Sequence, residues 1–262
     1  MSAFQLVGQG VGLARVLGED LSLLRDYERL DGVVPVIYRR GAEELAERMR
    51  RFLETGAGAL SEMLNTMPPG IEAFLVPDED WDDAPRENAR AYPPGLPYFT
   101  RSARPPALVL PATLSPIFRP HTQATYPLVV WHELTHAFLL QKEAVRTPAW
   151  LGEFVPQAAS AAVARRVGLP LDEHLGMIDR EPGFTVRGLR GHAGAGEQMA
   201  FQNLLLLLGA DAVEEFGDGF LKRLVRALWE ETDVVNEERA EELLADAFGP
   251  GGREWLASRP EF

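Results

Sequence analysis

The residues best equipped for chemistry stand together in Trp131-His132-Glu133-Leu134-Thr135-His136. Two histidines four apart on an α-helix project from one face about a turn apart, so both imidazoles can reach one metal ion. Glu133, beside the first histidine, then points near the open coordination position, where its carboxylate can take a proton from water. The segment around them is otherwise apolar: Leu128, Val129, Val130, Trp131, Leu134, Ala137, Phe138, Leu139 and Leu140. Burying two histidines and a glutamate in such a helix is costly unless something pairs with them, and a metal ion would satisfy all three.

A catalytic zinc site takes three protein ligands and keeps one position open. The chain has no cysteine and only five histidines, so its ligands must come from His, Asp and Glu. A third histidine in the HExxHxxGxxH form would need glycine at residue 139; Leu139 stands there and no histidine follows at that spacing. Glu153, in Thr147-Pro148-Ala149-Trp150-Leu151-Gly152-Glu153-Phe154, is the better candidate. A short connection and a new helix can bring its first turns back against the His132/His136 helix. Glu143 is the nearest rival, but it lies seven residues beyond His136 on the same helix, about two turns up and too far to close a tight site.

The elements that must position these residues follow from apolar periodicity and from proline and glycine. Residues 33–38 read as a strand, 42–65 as an amphipathic helix and 71–76 as a second strand. Residues 77–120 hold ten of the chain's twenty prolines, which forbids long helices there. Within that stretch 96–100 and 107–111 read as edge strands, since proline is tolerated at strand ends and edges. A helix over 125–142 is expected to start at Thr125 as N-cap, with Pro127 in its first turn. The next, introduced by Thr147 and Pro148, should reach about 167. Helices at 197–208, 211–230 and 236–247 complete the chain. The reading is an α/β N-terminal lobe over residues 1–120 and a helical lobe over 121–262, together one catalytic domain.

Composition removes other classes. With 26 Lys+Arg against 39 Asp+Glu, the formal charge is -13, which disfavours nucleic acid and anionic membranes as partners. No cysteine means no disulfide framework, no iron–sulfur site and no cysteine nucleophile. The first twenty residues lack a basic leader, and Leu204–Leu208 is too short to span a bilayer, so a soluble, cytoplasmic protein is expected. Gly8, Gly10 and Gly12 do not make a dinucleotide loop, because the third glycine would be needed where Leu13 stands. The serines have no GxSxG-like setting.

HExxH followed by Pro148-Ala149-Trp150-Leu151-Gly152-Glu153 resembles the gluzincin branch of zinc metallopeptidases, in particular the compact peptidase-MA-like domains related to thermolysin and the zinc aminopeptidases. The resemblance runs over most of the chain in element order. It implies an α+β, zincin-like fold, with a small N-terminal mixed sheet, a helical C-terminal lobe and the active-site helix at their junction. It also implies Zn2+ held by His132, His136 and Glu153, Glu133 as general base, and a peptide or protein substrate.

The chain departs from the gluzincin pattern in several places. Phe154 follows the ligand glutamate where many relatives have glycine, and Pro156 predicts a kink beside it. Gln157 stands where relatives often place an acid, and its amide could hydrogen-bond a ligand histidine. Gluzincins commonly steady the oxyanion with a tyrosine or histidine from the C-terminal lobe, yet no tyrosine follows Tyr126. Phe201 sits about where one would be expected. The available substitutes are His174 and His192, the latter in the glycine-rich stretch Gly188–Gly196 that can bring a side chain over a cleft; an ordinary surface residue is the other reading of each, and of His121. The region before the zinc helix lacks the acidic residues that hold a substrate amine in aminopeptidases. The alternative to an enzyme is a zincin-fold module that binds zinc or a protein with little or no turnover. The substrate and the oligomeric state are not encoded in any motif.

Overall fold

The structure, a computed structural model, describes residues 26–86, 93–142, 146–181, 183–187 and 195–262. It is a mixed α+β chain that divides into two compact units, Met1–Gly58 with Pro68–Ser115 and Ala59–Met67 with Pro116–Phe262.

The first unit is built on a five-stranded sheet of order β1-β2-β3-β5-β4, comprising β1 (Tyr27–Leu30), β2 (Val36–Arg39), β3 (Glu72–Val76), β4 (Tyr98–Thr100) and β5 (Ala107–Pro111). β2, β3 and β5 run parallel, and β1 and β4 close the two edges antiparallel. Every residue of β3 and β5 is buried, as expected of parallel strands covered on both faces. Strand β1 was not anticipated from its sequence. It is half-exposed and carries Glu28 and Arg29, so it shows little of the apolar run that marks an inner strand.

β5 was expected at an edge because of Pro111, yet it lies between β3 and β4. The proline is the last residue of the strand, and the next amide, Ala112 N–H, donates to Val76 O at 2.8 Å. The missing donor therefore falls at the strand's end and costs the ladder nothing further in. Ile37, Phe74, Val76, Trp81, Tyr98 and Val109 belong to the core of this unit, where Trp81 and Tyr98 meet edge to face. The helix α1 (Glu43–Leu64) buries Ala46, Met49, Leu53 and Ala57 at helical spacing, as its amphipathic pattern requires.

The second unit is helical: α2 (Thr125–Leu139), α3 (Ala149–Arg166), α4 (Leu171–Leu175), α5 (Ala195–Phe216), α6 (Gly219–Glu230), α7 (Glu237–Phe248) and α8 (Gly252–Ala257). α3 packs along both α2 and α5. Its small residues Ala158, Ala159, Ala161 and Ala162 are all buried, and a Cβ placed on Gly209 of α5 would lie only 2.7 Å from Ala158 Cα. The two helices meet almost backbone to backbone at that point. Leu204–Leu208 are all buried, so α5 is covered on every side over this stretch.

Two local expectations change. Two helices were expected either side of residue 209, but α5 runs through it to Phe216, and the break comes at Gly217, whose φ of 66° suits glycine. Gly209 is glycine for close packing and does not end a helix. Thr125 is not the N-cap of α2; Ala124 is, and Thr125 Oγ1 instead donates to Pro120 O at 2.7 Å while accepting from Thr122 N–H at 2.8 Å. α3 continues through Pro156 to Arg166, as the expected helix to about 167 requires. The short helices α4 and α8 were not anticipated, since five or six residues are too few to show a period.

Candidate metal centre

α2 carries His132 and His136 one turn apart, and α3 brings Glu153 to them from its first turns. Both helices are pinned at the relevant ends. Trp150 Nε1 donates to Glu237 Oε2 at 2.6 Å beside the start of α3, and Trp229 Nε1 donates to the Leu139 carbonyl at 3.0 Å in the last turn of α2. The second bond satisfies a carbonyl that the helix end would otherwise leave open.

The three side chains converge on one point. His132 Nε2 lies 3.2 Å from His136 Nε2 and 3.2 Å from Glu153 Oε2, and His136 Nε2 lies 3.7 Å from the same oxygen. The imidazole rings meet edge to face, 4.9 Å apart at their centroids. Zinc bound tetrahedrally at about 2.0–2.1 Å from each donor requires donor–donor separations of about 3.3 Å. The observed triangle matches one face of that tetrahedron, so the residues fit the ion in number, type and spacing. Among the described residues no other group of His, Asp or Glu has this arrangement.

The electrostatics also favour a cation. Burial alone would raise the Glu153 carboxyl, but its hydrogen bonds to His132 and His136 hold it well below the usual carboxylate range. Burial alone would lower His136, yet the Glu153 hydrogen bond and the charges of Glu153 and Glu133 raise it above its ordinary value. The influence on His136 places the Glu133 charge close to the centre, and Glu133 is itself buried. Two carboxylates thus serve a half-buried pair of imidazoles, a balance that a divalent ion would neutralise.

The surroundings differ from expectation in one respect. Gln157, expected to reach a ligand histidine, donates instead through Nε2 to Gln202 Oε1 at 2.6 Å. Gln202, on α5, donates through Nε2 to Glu153 Oε2 at 2.9 Å. His132 Nδ1 is buried and has no hydrogen-bond partner among the described residues. Nothing in the sequence marks Gln202, because an amide has no ligand chemistry of its own to flag it. Its only signal is its register against α3.

His192, expected over the cleft, and Glu143, the rival ligand, lie outside the described residues. His174 is not a surface residue: it is 3% exposed on α4, with Nδ1 2.9 Å from Thr122 Oγ1, and burial lowers its pKa to about 4. His121 is exposed and Phe201 is buried. No helix among the described residues is long and apolar enough to cross a membrane.

No family model matches the chain, and no curated protein matches it. Solved structures do. One is yeast LTA4 hydrolase in complex with Bestatin, with a TM-score of 0.53 and 13% identity, over 90% of this chain and 38% of the other. The chain therefore spans well under half the length of that protein. At this identity the likeness is one of fold: the mixed α+β arrangement described above recurs within a hydrolase.

Proposed function

We propose that the protein is a zincin-like, zinc-dependent hydrolase of peptide bonds, related in kind to the gluzincins. The observation that carries this reading is the triangle of His132 Nε2, His136 Nε2 and Glu153 Oε2, which fits one face of a zinc tetrahedron and leaves the fourth position free of protein ligands among the described residues. The fold shared with a hydrolase supports it. When bound, zinc polarises a carbonyl and lowers the pKa of a water from about 15.7 to about 7.

The chain's own residues supply the rest. His132 and His136 offer neutral nitrogens and Glu153 the single negative ligand, its carboxyl kept ionised by the imidazoles. Glu133, adjacent to His132 and buried, is the group that takes a proton from the attacking water on its carboxylate and returns it to the leaving amine nitrogen. Trp131, Leu134, Trp150 and Phe154, on the same two helices, are buried and fix the helices that carry these groups.

Glu133→Gln keeps the ligands and removes only the base. Incubated with a diverse peptide mixture, the zinc-loaded wild type should cleave peptides, and the variant should retain zinc while losing about a hundred- to ten-thousand-fold in rate. Equal cleavage by both would remove Glu133 from the mechanism.

A second reading, a zinc-binding or protein-interaction module with little turnover, is favoured by one observation. No tyrosine follows Tyr126, and His174, a histidine of the helical unit, is buried against Thr122. A zinc-loaded wild type that cleaves nothing in the mixture supports this reading over the enzyme.

A further inference from the structure

The zinc reading leaves unexplained why two glutamines, on different helices, are joined end to end behind the ligand carboxylate. Gln157 lies one turn beyond Glu153 on α3, and Gln202 faces both from α5. The bonds run in one direction, from Gln157 Nε2 to Gln202 Oε1 and from Gln202 Nε2 to Glu153 Oε2. Turning the Gln202 amide over would set its oxygen against the carboxylate and its NH2 against the Gln157 NH2. Glu153, which only accepts, therefore fixes which way Gln202 points, and Gln157 donates to the oxygen so placed.

The bond falls on a particular oxygen. Oε2 is the atom that faces both histidines, so the Gln202 N–H and the ion would share the lone pairs of a single carboxylate oxygen. A neutral donor at that place does what an acid could not: it holds the carboxylate without adding a second negative charge, and it draws electron density from the oxygen that meets the ion.

We propose that Gln202, held from behind by Gln157, is a positioning residue that locks Glu153 as a single-oxygen metal ligand. The proposal rests on the zinc reading of the site. Its range of action is that of an outer partner of a metal ligand, for which loss of affinity of about 10- to 100-fold is typical.

The test uses the full-length protein, stripped of metal, with zinc affinity measured by chelator competition and Co(II) substituted for its visible absorption bands. The variants are Gln202→Leu, Gln157→Leu and the double variant, each with its metal-free melting temperature. Gln202→Leu should weaken zinc by about 10- to 100-fold and shift the Co(II) bands. Gln157→Leu should move both in the same direction by less, and the double variant should lose no more than Gln202→Leu alone, because the two act through one bond. Unchanged zinc affinity and Co(II) bands in Gln202→Leu would overturn the proposal, as would a change confined to melting temperature. Should Gln202→Leu fail to fold, an unaltered Co(II) spectrum in Gln157→Leu overturns it equally. A wild type that binds neither zinc nor cobalt overturns the zinc reading and this proposal with it; one that binds both with unaltered variants overturns the proposal alone.

Discussion

Glu153 is the residue through which most of the site's energetics pass. It is the one carboxylate of the candidate triad, it raises His136, and it receives Gln202. Glu153→Gln should therefore weaken zinc more than a partner change does, by well over a hundredfold in chelator competition. It should also let His136 fall towards the ordinary range, a shift visible by NMR titration of the metal-free protein. That His132, His136 and Glu153 converge was legible from the sequence, because metal chemistry restricts both residue type and spacing: two histidines one helical turn apart, and a glutamate where a second helix can return. Gln202 was not legible, since nothing in a single helix marks which of its amides will face a carboxylate on another.

At the level of elements, the positions of α2, α3 and α5 decide whether the ligands meet. The α3–α5 interface is close because Gly209 lies against Ala158. Gly209→Ala would force a new methyl to 2.7 Å from the Ala158 backbone. It should cost about 1–3 kcal/mol, read as a Tm lowered by several degrees, and it should weaken zinc as well because Gln202 and Glu153 sit on the two helices. A Tm unchanged within a degree would contradict this. Helix existence was largely readable from apolar periodicity, whereas the boundary between α5 and α6 was not. Gly209 and Gly217 look alike in sequence, and only the packing partner of the first and the positive φ of the second tell them apart. The same limit applied to β1, whose charged edge residues gave no strand signal, and to β5, where a terminal proline read as an edge.

Across the whole molecule, two buried groups, one in each unit, should answer pH in opposite senses. Glu72, at the start of β3 in the first unit, is buried with Oε1 unpartnered, and burial raises its pKa to about 7, with Arg29 acting weakly against this. Between its ordinary 4.5 and about 7 the folded state holds the proton and the unfolded state does not, so stability of this unit falls as pH rises through that window. Glu72→Gln should remove the fall, gaining on the order of 2 kcal/mol above pH 7 once partial solvent screening is allowed for. His174 in the second unit behaves the other way. Its folded pKa of about 4 lies below the ordinary 6.5, so the unfolded state takes up the proton first and stability is lost as pH falls from 6.5 towards 4. Thermal melts from pH 4 to 8 of the wild type, Glu72→Gln and His174→Gln would check both slopes. Neither group was legible as pH-sensitive in sequence, because burial is a property of the fold. Zinc should add to the stability of the second unit, to which all three residues of the candidate triad belong, by about 4 kcal/mol at a thousandfold excess over Kd.

Zinc held by His132, His136 and Glu153 would show in the zinc content of protein purified without added metal, measured alongside a His132→Ala, His136→Ala double variant. About one zinc per chain in the wild type, and almost none in a double variant that still folds, is the expected result. A folded wild type that takes up no zinc, or a double variant that keeps its full zinc content, would contradict it.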